Sequence, residues 1–289
     1  MAESLIEDVS DTAFMVAAQR ALEGQRERPL FRDPLAGALA GEHGRKIVAS
    51  QGRQARIGEW AMAIRTVVID AYLRAALEQG VTLIANLGAG LDTRPYRMDL
   101  PDTLQWVEVD FPKIIALKNE RLAGERPRCR LERVALDLSN GDARRRLLAD
   151  LDSRAERILV LTEGVVPYLN VEEAASLADD LRSKEHFRLW IVDYFSPETR
   201  RYRQRQAAKR GLANAPFRFE PSDWFGLFRE HGWALREIRY LAEEGKRLGR
   251  PLPVPMALMA LLVLRGGFLS AERREELRHF TGYALLERG

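Results

Sequence analysis

At 289 residues, 46% hydrophobic and 30% charged, the chain has room for one α/β domain with additions, or at most two small ones. The balance of 45 basic against 42 acidic side chains, net +3, is too slight to argue for nucleic acid by itself. A single cysteine, Cys129, excludes an intrachain disulfide and a cysteine-rich metal site, and suits a reducing cytoplasm.

The acidic start MAESLIEDVSD lacks the apolar core of a signal peptide. The most hydrophobic window, Met256 to Leu264, falls far short of the roughly 20 residues that cross a bilayer. The expectation is a soluble cytoplasmic protein without a membrane partner. Ser10 or Asp11 can cap a first helix whose Phe14, Ala17, Ala18, Ala21 and Leu22 form an apolar stripe ending at Gly24. Arg20 sits beside that stripe. The turn-rich linker RERPLFRDPLAG follows, with Asp33-Pro34 opening a short helix. A longer helix is predicted from about Arg56 to Gln79, with Ile57, Trp60, Ala61, Ile64, Val68, Ala71 and Ala75 on one face. Arg65 lies at the edge of that face, where a guanidinium needs a carboxylate partner, from the protein or from a ligand.

Next comes an apolar run, Leu83 to Leu87, then Gly88-Ala89-Gly90, then a second strand pattern over 105–110 ending on Asp110. Strand, glycine turn and a second strand closed by an acid are the front half of a nucleotide-binding α/β unit. Glycine lets the backbone approach a ligand where a Cβ would clash. Asp110, 22 residues past Gly88, is placed to accept from both ribose hydroxyls of an adenosine. The third glycine of the dinucleotide pattern is missing, and Asp92, followed by Thr93 and Arg94, stands there instead. A carboxylate at that point repels a pyrophosphate. An adenosyl cofactor without phosphates is not repelled, and S-adenosyl-L-methionine is one. Arg94 and Arg97 are candidates to neutralise Asp92 or to reach the cofactor.

Pro112 opens a helix over 113–122 with Gly124 beyond its end. A third strand, about 130–138, ends in Asp137-Leu138, and a helix with Arg144 to Leu151 returns the chain. Strand four, 158–161, opens into Glu163-Gly164, and Asn170 with Glu173 makes a capping box for the next helix. FRLWIVDYF, 187–195, has the near-continuous apolar run of a central parallel strand. The basic run TRRYRQRQAAKR reads as a solvated helix face. Phe217 to Trp233 is an aromatic-rich segment, a helix packed on the sheet or in part the wall of a substrate pocket. Strand six is predicted at about 234–241 and the last strand at 282–287, with the apolar PVPMALMALLVL and a charged helix from Ser270 between them.

LGAGLDTRPYR, EVDFPKIIALK, the Asp137-Leu138 pair and TEGVVPYL, in this order and spacing, resemble the leucine carboxyl methyltransferase family. Its members include protein-phosphatase carboxyl methyltransferases and bacterial O-methyltransferases of polyketide and other secondary metabolism. The resemblance implies an α/β fold, the Rossmann-like class I S-adenosylmethionine-dependent methyltransferase. This has a seven-stranded, mostly parallel sheet, helices on both faces and a helical cover. The chain divides accordingly into an N-terminal cover (1–80), a core (81–241 and 282–289) and an inserted helical lid (242–281). It also implies that Arg20 and Arg65 hold the carboxylate of the cofactor's methionine. Gly88, Ala89 and Gly90 pass beneath the cofactor, Asp110 grips its ribose, and Asp137 and Leu138 meet the adenine. Glu163 sits close to the sulfonium, and Tyr168 lines the same pocket as the candidate catalytic residue. S-adenosyl-L-homocysteine would be the product.

Methyl transfer from a sulfonium is an in-line displacement in which positioning supplies much of the acceleration. A carboxylate acceptor is already anionic and needs only orientation by an Arg or Tyr, whereas a phenol, pKa near ~10, needs a base. None of the four histidines, His43, His186, His231 and His279, lies in a recognised motif, which tilts the reading towards a carboxyl acceptor. No HExxH or Cys/His set suggests a metal. The reading is therefore a monomeric or homodimeric O-methyltransferase with a small-molecule acceptor and no nucleic acid. The alternatives are a carboxyl methyltransferase of a protein C-terminus, a non-catalytic nucleic-acid binder using Arg201 to Arg210, and a disfavoured NAD-dependent oxidoreductase.

Overall fold

The computed structural model describes residues 9–52, 55–199, 217–253, 275 and 278–289. One sheet contains β1 Leu83–Leu87, β2 Gln105–Asp110, β3 Arg130–Ala135, β4 Ile158–Thr162, β5 Phe187–Phe195, β6 Trp233–Tyr240 and β7 Thr281–Arg288. Their order across the sheet is β3-β2-β1-β4-β5-β7-β6. The first five run parallel, and β7 lies antiparallel to β5 and β6. The order reverses between β1 and β4, and in an open α/β sheet such a switch point opens a ligand crevice beyond the strands' carboxyl ends.

Strand alternation feeds two cores. Leu83, Ala85 and Leu87 of β1 and Ile158 and Val160 of β4 face one side. There they meet α6 (Gly141–Asp152), α7 (Val171–Arg182) and α8 (Trp224–Glu230), through residues such as Leu148, Leu177 and Phe228. Ile84, Leu159 and Leu161 face the other side, against Ile64, Val68, Tyr72 and Leu73 of α3 (Ala55–Glu78). Each such side chain, fully buried, contributes about 1.5–3 kcal/mol. The face of α3 is wider than the predicted stripe: Ile69, Leu73 and Ala76 are buried, whereas Ile57 is exposed. The reason is that α3 packs on α1 (Val9–Gly24) and α9 (Leu241–Arg247) as well as on the sheet.

Over the carboxyl edge, α1, α2 (Ala36–Ser50) and α5 (Pro112–Arg121) share a third apolar cluster with Leu91 of the glycine loop. Asp33 opens α2, accepting from the Ala36 N–H at 3.1 Å, and the piece it opens is short, because the backbone of Gly41 leaves the helical region before a second piece runs on to Ser50. Strand β3 stops at Ala135 and not at the expected 138, because its partner β2 ends at Asp110, opposite Ala135. Asp137-Leu138 therefore belongs to the loop before α6. Most of the 242–281 insertion and of the basic run, including the predicted helix from Ser270, lies outside the described residues.

At the end of β4 the fully buried Trp190 indole N–H donates to Thr162 Oγ1 at 2.8 Å. Thr162→Val leaves that donor unpaired in a dry core. Urea unfolding of the variant should show a loss of about 1–3 kcal/mol.

Candidate functional site

The turn after β1 is shaped by backbone. Gly88 and Gly90 adopt φ of +71° and +48°, in the left-handed region that L side chains avoid. The N–H groups of Gly88 and Ala89 donate to the Val109 carbonyl at 2.8 and 3.1 Å, tying the turn onto β2. A Cβ on Gly88 would lie 2.3 Å from Val165 Cγ2, so the residue after Gly164 closes over the turn. The half-buried Asp110 carboxylate accepts from the Gly90 N–H at 2.6 Å and the Phe111 N–H at 2.7 Å. Burial raises its pKa, partly offset by those two donors. Gly88, Ala89, Gly90 and Asp110 are thus one unit at the switch point.

Beside this unit lies a buried ion network. Arg94 of α4 (Arg94–Arg97) is 2% exposed and reaches Asp70 Oδ1 at 2.8 Å, Asp92 Oδ2 at 2.8 Å and Glu163 Oε2 at 2.6 Å. Arg97 forks onto Asp70 at 2.6 and 2.9 Å. The other Glu163 oxygen accepts from Arg65 Nε. Arg20 Nε holds Asp33 at 2.9 Å, and Asp33 also accepts from Thr93 Oγ1 at 2.6 Å. Four guanidiniums (Arg20, Arg65, Arg94, Arg97) face four carboxylates (Asp33, Asp70, Asp92, Glu163). Burial alone would raise Asp70, Asp92 and Glu163, but the adjacent arginines outweigh it and hold all three below the ordinary carboxylate value. Asp193 is different: burial holds it up, although the Tyr283 hydroxyl and the Gly164 N–H each donate to it at 2.8 Å.

This arrangement corrects the sequence reading of Asp92. Its carboxylate does not confront a ligand's phosphates; it is taken up by Arg94 and by Asn86 Nδ2 at 2.9 Å. Of the two arginines offered for that task, Arg94 performs it and Arg97 serves Asp70. Arg20 and Arg65 both have carboxylate partners from the protein. Even so, Glu163 is the acceptor bonded to Arg65 among the described residues, and only through Nε. The terminal nitrogens of Arg65 lie 3.3 and 3.9 Å from where a Cβ on Gly164 would be. Asp137 is exposed and accepts from the Ser139 N–H at 2.9 Å. Leu138 packs against the first core. Their loop is tied to β2 by the Leu136 N–H donating to the Asp110 carbonyl at 2.9 Å.

Tyr168 stands in a 3-10 turn, Val166–Tyr168, half-buried, with its ring edge on Phe217 at 5.1 Å. The four histidines are occupied elsewhere, His43 with Asp11, His186 with Asp152, His231 with Asp179 and His279 stacked on Tyr240. No His/Cys/Asp/Glu group among the described residues could hold a metal ion. Also among them, no helix is long and apolar enough to cross a membrane. Asp70 was the residue most open to discovery from sequence, a carboxylate flanked by Ile69 and Ala71 in an apolar helix. Asp193 carries the same signal within FRLWIVDYF, but its partner Tyr283 carries none, because strand pairing alone brings the two together.

A model of the leucine carboxyl methyltransferase family matches residues 13–182. The chain belongs to the leucine carboxyl methyltransferase family. Among its relatives is a candidate S-adenosyl-L-methionine-dependent methyltransferase of Mycobacterium sp. (strain KMS), 32% identical over 283 residues, 85% of this chain and 89% of the relative. Another of that description, from Frankia alni, is 31% identical over 286 residues, 91% and 94% of the two chains. Among solved structures, a candidate methyltransferase from Thermobifida fusca aligns with a TM-score of 0.58, 12% identity and coverage of 98% and 96%. A DUF574 family protein from Streptomyces avermitilis gives 0.54, 14%, 96% and 97%. These likenesses establish the Rossmann-like methyltransferase fold. In this member of the family the ion network stands where the glycine turn meets the end of β4.

Arg94→Met should lower stability by about 3–5 kcal/mol at neutral pH, by leaving three buried carboxylates short of counter-charge. In the parent protein those carboxylates stabilise fully above about pH 4 and lose that contribution as pH falls through their depressed values. In the variant Asp70 keeps Arg97 and Glu163 keeps Arg65, whereas Asp92 loses its main counter-charge, so protonation of Asp92 relieves much of the defect. Urea unfolding at about pH 7 and about pH 5 should show the gap between variant and parent narrowing at the lower pH.

Proposed function

We propose that the protein is an S-adenosyl-L-methionine-dependent O-methyltransferase that methylates a carboxylate or hydroxyl of a small molecule, a polyketide or other secondary metabolite. The observation that carries the reading is the Gly88–Gly90 turn locked onto Asp110 at the switch point. Each Asp110 oxygen accepts one backbone N–H and keeps further lone-pair capacity, which suits two ribose hydroxyls. The residues therefore fit an adenosyl group, and the family and its named relatives supply S-adenosyl-L-methionine as the donor.

When bound, that donor would supply an electrophilic methyl group on its sulfonium sulfur for an acceptor oxygen, and S-adenosyl-L-homocysteine would be left. The protein's part is positioning. Arg65 offers its terminal nitrogens to the donor's carboxylate while its Nε stays on Glu163, and Arg20 adds charge from α1. Arg94 holds the second Glu163 oxygen, which keeps that carboxylate ionised and aimed from the end of β4. Asp137 and Leu138 border the adenine end, and Tyr168 stands on the acceptor side. A second reading, methylation of a protein's C-terminal carboxylate, draws on the family description itself. On this reading the protein works as a monomer or homodimer in the cytoplasm, without nucleic acid or membrane.

Calorimetry should give heat with S-adenosyl-L-methionine and none with NAD. Asp110→Ala should abolish the signal while circular dichroism stays unchanged. Arg65→Ala should weaken the donor at least about tenfold, in line with loss of a charge-assisted bidentate contact, and adenosine much less. Equal losses for both ligands would place Arg65 away from the methionine end.

A further inference from the structure

We infer that Asp193, near the carboxyl end of β5, is a positioning residue for the methyl donor, acting through Gly164 and Tyr283 on the terminal nitrogens of Arg65. This rests on the reading that Arg65 receives the donor's carboxylate, and it adds the residues that aim it. Asp193 is 2% exposed, between Val192 and Tyr194 in an apolar stretch of the strand. A carboxylate there costs desolvation that an apolar residue would not, and burial raises its pKa. Both oxygens are engaged by donors of the protein. Oδ2 accepts from the Gly164 N–H and Oδ1 from the Tyr283 hydroxyl, each at 2.8 Å. With the side chain enclosed in this way, its effect on a ligand runs through the two groups it holds.

Both groups border Arg65. Gly164 turns the chain after β4 at φ +72°, and a Cβ on it would lie 3.3 Å from a terminal nitrogen of Arg65. The bond from the Gly164 N–H to Asp193 therefore sets how close that turn stands to the guanidinium. The Tyr283 ring centroid is 5.8 Å from Arg65 Cζ, within reach of a cation–π contact. Tyr283 is itself fixed to α3, because its carbonyl accepts from the Tyr72 hydroxyl at 3.0 Å. Tyr72 follows Arg65 by about two turns of the same helix. Three neighbours thus place the guanidinium: Glu163 on Nε, the Tyr283 ring, and the Gly164 backbone beside the terminal nitrogens. Asp193 holds two of the three. A guanidinium fork meets a carboxylate with both bonds only over a narrow range of orientations, so a small shift of the turn or the ring loses the contact.

The test is calorimetry on the full-length protein, with S-adenosyl-L-methionine and adenosine as the two ligands. Asp193→Ala frees both the turn and the ring. It should weaken S-adenosyl-L-methionine at least about tenfold, as loss of a bidentate contact would, and adenosine by no more than about twofold. Asp193→Asn can turn its oxygen to the Gly164 N–H and its amide to the Tyr283 oxygen, and should recover most of that loss. In an Arg65→Ala background, Asp193→Ala should cost no more than about twofold further, because the group it aims is gone. Tyr283→Phe keeps the ring and removes one anchor. It should weaken S-adenosyl-L-methionine more than adenosine, and it carries the comparison if Asp193→Ala does not fold. Equal losses for the two ligands, unchanged affinity, additive losses in the double variant, or Asp193→Asn no better than Asp193→Ala would overturn the inference. No heat with S-adenosyl-L-methionine in the unsubstituted protein, or equal losses for both ligands on Arg65→Ala alone, would instead overturn the reading beneath it.

Discussion

A guanidinium cannot be buried without a counter-charge, and this constraint sets the distances around the glycine turn and the end of β4. Arg94, almost wholly enclosed, touches a carboxylate on α3, one in the glycine loop and one at the end of β4. Those three segments are far apart in sequence and are held together by charge balance as much as by packing. Buried ion pairs are a poor source of net stability, since desolvation offsets much of the attraction. Their value here is geometric: a helix, a turn and a strand end meet in one arrangement, and Glu163 and Arg65 are oriented as a consequence.

The same network leaves room for the carboxylate that the proposed function assigns to Arg65. Arg65 is paired through Nε, leaving its terminal nitrogens beside Gly164, a residue without a side chain. Asp110 stays apart from the network, raised by burial and braced by two backbone donors. One region is neutralised in advance and a neighbouring region keeps spare acceptor capacity. That division matches a ligand with a zwitterionic end and a sugar end.

The sheet was legible in the sequence because its signals are local: apolar runs of strand length, a glycine turn, a proline at the start of α5 and the Asn170–Glu173 capping box. The motif words added the family, which the family match bore out. What could not be read was pairing between segments. Asp92 looked like a ligand-facing acid because sequence shows its place in the loop and not the Arg94 side chain that folds back on it. Asp193 and Tyr283 come from strands 90 residues apart in sequence. The length of β3 was misjudged because the alternation continues past the point where β2 offers a partner. The sequence leaves the aromatic segment after 217 open between core and substrate-pocket wall; Phe228 is sealed in the core, and Phe225 borders a cavity.

The central claim is that the crevice between β1 and β4 holds an adenosyl group with its sugar on Asp110. Crystals soaked in S-adenosyl-L-homocysteine test it most directly. The account predicts density over the glycine turn, both ribose hydroxyls within hydrogen-bond distance of Asp110, and the amino-acid end at Arg65. Density elsewhere, or an unchanged turn with Val165 still closed over Gly88 at saturating ligand, would contradict it.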